Sequence, residues 1–192
     1  TITEVRDYCS YLIASPNEVP VSGFPWNDIL SDWNQSSDPE SRYQMMIDYY
    51  CESYYPGGSQ NPFGSYQCLV SAFVAKIQTL DNLLNRIRDF SFKYSDRANE
   101  DPFVKSRNQC FAFNDLLADV EILQYFSLLK NNAENDTSLI MACNNMLSAV
   151  NQLFIYRNSL GLPVEGTASI WYPLLDDMFF TLYFNSYHNL DI

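Results

Sequence analysis

Short uninterrupted apolar runs alternate along the chain with longer segments in which apolar residues recur every three to four positions. The run Tyr11–Ala14 ends at Ser15-Pro16 and predicts a buried parallel strand, because a proline at its exit prevents further ladder pairing. A second run, Gln67–Phe73, predicts another strand. A third, Ala168–Tyr172, predicts a returning strand that Pro173 ends. The pattern therefore indicates an α/β protein.

Helical spacing accounts for most of the remaining chain. Proline in a first turn marks two helix starts, at Pro25 and at Asp38-Pro39. The predicted helices cover Pro25–Leu30, Asp38–Tyr54, Ile77–Ile87, Asn114–Leu129, Leu139–Tyr156 and Asp176–Tyr187. The segment Lys93–Arg107 is rich in charge and has little periodicity, so it is predicted to be an exposed connection.

Composition narrows the class of protein. A chain of 192 residues that is 47% hydrophobic and 16% aromatic carries enough apolar surface to fold around a core. Its formal net charge of −12 repels phosphate backbones and anionic lipid surfaces, which argues against nucleic acid as a partner. No apolar run approaches the roughly 18 residues that a membrane-crossing helix needs, so no transmembrane segment is predicted.

Candidate nucleophiles and bases are scarce. His188 is the one histidine of the chain and lies outside any tight glycine turn, which favours a surface role. Cys9 lies at the start of the first predicted strand, where burial is expected to outweigh activation. The five cysteines are odd in number and lack Cys-x-x-Cys spacing, so buried free thiols are predicted. These features predict no catalytic residue on this chain and no metal site.

Two pairs of carboxylates offer a weaker signal. Asp176-Asp177 are adjacent, and Asp115 and Asp119 are one helical turn apart. Such pairs can bind a cation or share a proton. In a chain this acidic, the simpler interpretation is that they belong to solvated faces.

Two stretches near the start carry a family resemblance. They are Glu4–Glu18, with the sequence EVRDYCSYLIASPNE, and Gly23–Trp26, with the sequence GFPW. Together they resemble the segment that follows directly after the catalytic cysteine in the clostripain family of cysteine peptidases. The family's nucleophile and its histidine partner would then lie before Thr1.

Three later pieces extend the resemblance over most of the chain. Leu69–Phe73, followed by Lys76 and Leu80–Leu84, is similar to the family's later strand and helix. Asn114–Leu116 is similar to an aromatic Asp-Leu segment of the family. The third piece, which resembles the family's closing strand and helix, is Gly166–Pro173 with Phe179–Leu182. Four pieces in the family's order make a chance match improbable.

The resemblance implies a fold and a domain organisation. The fold is caspase-like, a mostly parallel sheet flanked by helices, of which this chain would supply the C-terminal half and a helical C-terminal region. Residues 1–92 would form the C-terminal part of the peptidase core. Residues 93–192 would be mainly helical, with the returning strand near 168–172.

The resemblance also implies a substrate site, since the family cleaves after Arg or Lys. The loop after the first strand would form one wall of the primary specificity pocket. Ser15 and Glu18 would supply polar contacts, and Phe24 or Trp26 an apolar floor. Glu18 or Asp28 would add negative potential for a cationic side chain.

The expected partners are an N-terminal peptidase half with the His/Cys dyad and a peptide or protein substrate that contains Arg or Lys. The resemblance implies a bacterial protein that is secreted or associated with the cell envelope, with any signal peptide before Thr1. The sequence identifies no specific cofactor, and calcium binding is left open. Two other hypotheses remain: a non-catalytic peptidase-like binding or structural module, and an autonomous helical interaction domain.

Overall fold

The computed structural model shows helices packed around small antiparallel sheets. It describes residues 2–16, 19–64, 69–113, 119–164 and 168–171. The helices are α1 (Ile2–Val5), α2 (Trp26–Asp32), α3 (Pro39–Ser53), α4 (Leu80–Tyr94), α5 (Asp101–Gln109), α6 (Ile122–Asn132) and α7 (Thr137–Leu153). The strands are β1 (Tyr11–Ala14), β2 (Val70–Lys76), β3 (Asp119–Glu121), β4 (Phe154–Leu160) and β5 (Ser169–Trp171). The predicted α/β class is confirmed.

Three of the strands form one sheet in the order β1-β2-β4. The central strand β2 pairs antiparallel with both neighbours, and its Val74 lies opposite Ile13 of β1 and Tyr156 of β4. The prediction that Tyr11–Ala14 pairs as a parallel strand is therefore wrong for its pairing with β2, its described neighbour. The apolar run indicated a strand covered on both faces, and burial on both faces does not fix the direction of the neighbouring strand.

The residues of β2 divide between two cores. Phe73 and Ala75 point to a cluster that also contains residues of α4, α6 and α7. Val70, Ala72 and Val74 point to the other face, where they pack with the aromatic residues of α3. Every residue from Val70 to Ala75 is buried. This two-sided burial explains why the strand is an almost continuous apolar run.

Helix α3 has the start that the sequence predicts. The carboxylate of Asp38 accepts a hydrogen bond of 2.8 Å from the backbone N–H of Ser41, and Pro39 occupies the first turn. The helix buries Met46, Ile47 and Tyr50 on one face. Its apolar stripe is core, as predicted.

A second sheet joins β3 to β5. The two strands pair antiparallel, with Val120 opposite Ile170. The strand predicted near 168–172 is therefore present as β5. The helix predicted over Asn114–Leu129 is wrong for Asp119–Glu121, which form β3, and its first five residues lie outside the described part of the chain. Helix α6 begins at Ile122, where the carboxylate of Glu121 caps it by accepting a hydrogen bond of 2.6 Å from the N–H of Gln124.

Two other predicted boundaries are corrected. Lys93–Arg107 is not an exposed connection, since α5 begins at Asp101 and buries Phe103 and Arg107. The charges in this segment obscured its two buried aromatic residues, Tyr94 and Phe103. The helix predicted to reach Tyr156 ends earlier, at Leu153, and the chain continues directly into β4.

The remaining predictions on organisation stay open. The helix predicted over Asp176–Tyr187 lies outside the described residues. The division between residues 1–92 and 93–192 stays a prediction, and β4 pairs with β2 across that boundary. Among the described helices, none combines the length and the apolar character that a membrane span requires.

Candidate functional site

The loop after β1 begins at the edge of the sheet where that strand ends. Ala14 lies opposite Phe73, so Ser15 follows close to the first residues of β2. Ser15 is half-buried. Glu18, the second polar residue predicted for this site, lies outside the described residues. The loop is described again from Val19, and it exposes Val21 fully to solvent.

The far end of this loop is fixed on helix α3. The ring of Phe24 stacks on that of Tyr50, with the ring centroids 4.4 Å apart. The hydroxyl of Tyr54 donates a hydrogen bond of 2.9 Å to the carbonyl oxygen of Gly23. Gly23 has a φ of +66°, a left-handed conformation that favours glycine. The predicted floor residue Phe24 is therefore anchored to a buried tyrosine.

A cleft opens beside this anchor, between the first turn of α2 and the turn that follows α3. We call it the Trp26 cleft; its volume is about 380 Å³, and its walls include Phe24, Trp26 and Asp28 on one side and Ser59 and Gln60 on the other. The ring of Trp26 lies 5.7 Å from that of Phe24 and is 54% exposed. The structure thus brings the two predicted aromatic residues together.

The turn that forms the second wall is held by its own backbone. The N–H of Gln60 donates to the carbonyl of Ser53 over 2.9 Å, and that of Gly57 donates to the carbonyl of Asn61 over 2.9 Å. The side-chain amide of Asn61 donates to the carbonyl of Tyr54 over 3.2 Å. Both walls of the cleft are therefore tied to the C-terminal end of α3.

Carboxylates dominate the electrostatics on this side of the molecule. Asp28 accepts a hydrogen bond of 2.8 Å from the hydroxyl of Ser59. The hydroxyl of Tyr49 donates to Asp32, and this bond, with desolvation and the carboxylates of Asp32, Glu52 and Asp28, raises the pKa of Tyr49. Among the described residues, the ion pairs include neither Asp28 nor Asp32.

Three of the described thiols have a raised pKa, the opposite of an activated cysteine nucleophile. Burial is the main cause that raises the pKa of Cys51, Cys110 and Cys143 to about 12 in each case. Cys9 is half-buried, and its thiol points to the carbonyl of Val5 at 3.5 Å. These four cysteines are free thiols, and Cys68 lies outside the described residues.

The other acid–base candidates are mostly beyond the described part of the chain. Asp115, Asp176, Asp177 and His188 lie outside it. Asp119 lies in β3, where burial raises its pKa. Across the described ranges, no group of three or more His, Cys, Asp and Glu side chains is placed to hold a metal ion.

The strand that leads into the loop lies at an edge of the described sheet. In the order β1-β2-β4, the described partner of β1 is β2 alone. The sequence of β1 is YLIA, yet all four residues are only half-buried. An apolar edge strand of this kind is a surface that proteins normally cover or pair.

The clostripain family model matches residues 1–187, almost the whole chain. The chain belongs to the clostripain family. The family resemblance seen in the opening segment is thereby confirmed. No curated protein sequence matches the chain.

Solved structures of cysteine proteases have a similar fold. A B. fragilis cysteine protease is 18% identical with a TM-score of 0.65, and the match covers 98% of this chain and 77% of that one. A clostripain from Bacteroides thetaiotaomicron, solved with the peptide inhibitor BTN-VLTK-AOMK, is 17% identical with a TM-score of 0.64; the match covers 95% of this chain and 76% of that one. An inactive zymogen C11 protease from Parabacteroides distasonis is 17% identical with a TM-score of 0.64, over 96% of this chain and 52% of that one. The caspase-like α/β fold is therefore confirmed.

Sequence reasoning missed the part of the Trp26 cleft that comes from the turn after α3. In the sequence, Pro56-Gly57-Gly58 indicates only the end of a helix. No sequence pattern indicates that Ser59 lines the cleft or that the hydroxyl of Tyr54 anchors the loop after β1. Two glycines next to a run of small polar residues were the available signal, because tight turns of this kind position side chains next to a neighbouring loop.

Proposed function

We propose that this chain is the C-terminal part of a clostripain-type cysteine endopeptidase that cleaves after Arg or Lys. It supplies part of the sheet and one wall of the substrate pocket, while the His/Cys dyad lies on a preceding segment or chain. The observation that carries the proposal is β1, an apolar edge strand whose exit loop ends in an anchored pair of aromatic rings.

The edge of β1 is where the preceding half would add its strands. The half-buried side chains of Tyr11, Leu12 and Ile13 would become covered when another strand pairs with this edge. Ligand sites of open α/β sheets lie at the ends of such strands. A nucleophile on the adjacent strand would then lie beside the loop that begins at Ser15.

The proposed pocket wall uses the four residues predicted for it. Ser15 directly follows the end of β1, and in the proposal Ser15 and Glu18 contact polar atoms of the substrate. Phe24 provides an apolar floor that Tyr50 supports from below. Trp26 forms the outer rim. Specificity for Arg or Lys is supported by the lysine that ends the peptide part, VLTK, of the inhibitor bound to the B. thetaiotaomicron clostripain.

The proposed location is outside the cytoplasm, in secreted or envelope-associated form. One structurally similar relative is described as a secreted C11 cysteine protease from B. thetaiotaomicron, at 17% identity and a TM-score of 0.60. The proposal leaves calcium dependence to experiment. Peptide cleavage is to be measured with added calcium and with a chelator.

The test is hydrolysis of fluorogenic peptides that end in Arg, Lys or Ala, by the complete protein with its preceding segment. We expect cleavage after Arg and Lys but not after Ala, and complete loss of cleavage after thiol alkylation. Cleavage that survives alkylation, or no cleavage by material whose mass includes the preceding segment, contradicts the proposal. The second outcome favours a non-catalytic peptidase-like module.

A matched pair of variants tests the pocket wall. Ser15→Ala removes a hydroxyl at the carboxyl end of β1, and Ser10→Ala removes an exposed one next to the opposite end. We expect the first variant to raise KM for Arg and Lys peptides and the second to leave it unchanged. If both variants have the same KM, Ser15 does not contribute to the pocket.

A further inference from the structure

The Trp26 cleft contains a carboxylate that lacks a cationic partner among the described residues. Asp28 accepts one hydrogen bond from a neutral donor, Ser59, at 2.8 Å. Arg42, a basic residue in the first turn of α3, makes other contacts. Its guanidinium carbon lies 5.4 Å from the centre of the Trp33 ring, and its Nε–H donates a hydrogen bond to the carbonyl of Ser36. The negative charge of the cleft is therefore uncompensated by the described part of the chain.

The opposite component of the cleft is an aromatic face. Trp26 is 54% exposed, although its ring packs beside Phe24. Tryptophan is the aromatic residue that binds cations best over its ring face. A carboxylate and an open indole within one cleft match the ammonium or guanidinium head of a basic side chain, with the apolar stem along the ring.

Contacts within the protein fix the walls of the cleft. One wall includes Phe24, which stacks on the buried Tyr50, and the second wall is the backbone-bonded turn after α3. The hydrogen bond from Tyr54 to Gly23 holds the loop against this helix. Walls that are already fixed lose little conformational freedom when a side chain enters, so such a site binds more tightly than a mobile one.

We propose that the Trp26 cleft binds a second basic side chain of the substrate, distinct from the Arg or Lys at the cleaved bond, and that this cleft adjoins the primary pocket and shares Phe24 and Trp26 with it. This inference rests on the proposed function and extends it from the cleaved residue to a second position. Asp28 is the counter-ion, Trp26 contacts the cationic head, and Ser59 orients the carboxylate. The substrate class is then a peptide segment with at least two basic residues.

The kinetic test scans one lysine along a peptide. Every substrate keeps Arg at the cleaved bond, and Lys replaces Ala at each of the three positions before it and the two after it. Because the proposed enzyme also cleaves after Lys, mass spectrometry of the products counts only cleavage at the Arg bond. For the complete wild-type protein we expect one position at which Lys raises kcat/KM by about fivefold, in the range of one cation–aromatic contact with a counter-ion. The gain should appear in KM, because a contact remote from the reacting bond contributes equally to ground state and transition state.

Asp28→Asn should abolish this gain, so that the variant cleaves the peptide with the additional lysine no faster than the peptide with a single Arg. The variant preserves the shape of the side chain and an oxygen acceptor for Ser59. Asp89→Asn on α4 is the matched control, since it removes one exposed negative charge far along the chain and should keep the gain. Trp26→Leu should reduce the gain, whereas Trp33→Leu should not.

A binding measurement separates the failure of this inference from the failure of the proposed function. Calorimetric titration of the peptide amide Lys-Ala-Ala-Lys into wild type and Asp28→Asn, both alkylated at their thiols beforehand so that the peptide is not hydrolysed, is independent of cleavage. Weaker binding to Asp28→Asn by about fivefold supports the cleft even if no peptide is cleaved. Equal binding to both proteins, or a lysine gain that survives Asp28→Asn, overturns the inference and leaves cleavage after Arg or Lys intact.

Discussion

The hydroxyl of Tyr54 donates a 2.9 Å hydrogen bond to the carbonyl oxygen of Gly23, and this bond ties the loop after β1 to the end of α3. The tyrosine is 1% exposed. The two residues are 31 positions apart, so the bond links the exit of the first strand to a helix that forms later in the chain. The position of Phe24 and Trp26 depends on this link.

Removing that bond should loosen the loop. Tyr54→Phe keeps the buried ring but leaves the Gly23 carbonyl without this donor, and we expect a loss of about 1 kcal/mol in the free energy of unfolding. Hydrogen exchange of residues 19–25 should rise in parallel. Urea unfolding and exchange mass spectrometry measure both. Tyr55→Phe, at a 52% exposed neighbour, is the control and should change neither.

Two buried serines should respond to alanine with opposite signs. Ser71 in β2 is fully buried, and in the described structure its hydroxyl has no hydrogen-bond partner. Ser53 is 5% exposed and donates to the carbonyl of Tyr50 over 2.8 Å. A buried hydroxyl without a partner costs stability, whereas a bonded one contributes about 0.5–1.5 kcal/mol.

We therefore expect Ser71→Ala to leave the free energy of unfolding unchanged or to raise it, and Ser53→Ala to lower it by about 1 kcal/mol. Urea unfolding of the two variants beside wild type provides the comparison. A loss above about 1 kcal/mol in Ser71→Ala would contradict the assignment, because that is the size of a satisfied bond.

The parts of the fold that were predicted from sequence are those encoded locally. Asp38 and Pro39 start α3 through a cap that involves residues three positions apart, and short apolar runs found β1, β2 and β5. The strand β4 was missed because Phe154–Tyr156 continues the apolar pattern of α7 without a break. A run of three apolar residues fits either period, and only pairing with β2 decides between them.

The residues of the candidate site also divide into those that the sequence predicts and those that it does not. The family resemblance named Phe24 and Trp26, which lie close together in sequence and in space. Ser59 and Tyr54 reach the loop through contacts that span 31 positions, and no periodicity encodes such a contact. The direction of β1 was mispredicted because the burial of a strand's side chains depends on the layers above and below the sheet. It does not show whether the neighbouring strand runs parallel or antiparallel.

The buried thiols should resist alkylation in the native protein. With a pKa raised to about 12 by burial, the thiolate fraction of Cys51 and Cys143 at pH 8 is about one in ten thousand. We expect iodoacetamide to leave both unmodified in the folded protein and to modify both in urea. Peptide mass mapping measures the result. Rapid native modification of Cys143 would show that the α7 core opens more readily than its burial indicates.

This result bears on the proposed enzyme. If alkylation abolishes peptide cleavage while Cys51, Cys110 and Cys143 stay unmodified, the inactivated thiol is none of these three. That outcome assigns the nucleophile to another cysteine of the complete protein. Inactivation that tracks modification of Cys110 would instead identify a thiol on this chain as essential.

The carboxylate of Asp136 should make stability depend on pH in the acid range. It caps α7 by accepting a 2.9 Å hydrogen bond from the N–H of Leu139 and also pairs with Arg97 at 2.8 Å. Both contacts, the backbone bond first, lower its pKa in the folded state. The charged form therefore stabilises the fold above the unfolded pKa of about 4, and this contribution disappears as pH falls through the lower folded value.

Asp136→Asn isolates the charge, because asparagine is also a good helix cap and keeps an oxygen for Leu139. We expect the variant to be less stable than wild type at pH 7, with the difference shrinking as the pH falls from about 4 towards 2. Urea midpoints at pH 7, 5, 4 and 3 trace this difference. Asp89→Asn, exposed on α4, serves as the control for loss of one negative charge. A difference that stays constant from pH 7 to pH 3 would mean that the geometry of the cap, rather than the Arg97 ion pair, accounts for the stabilisation.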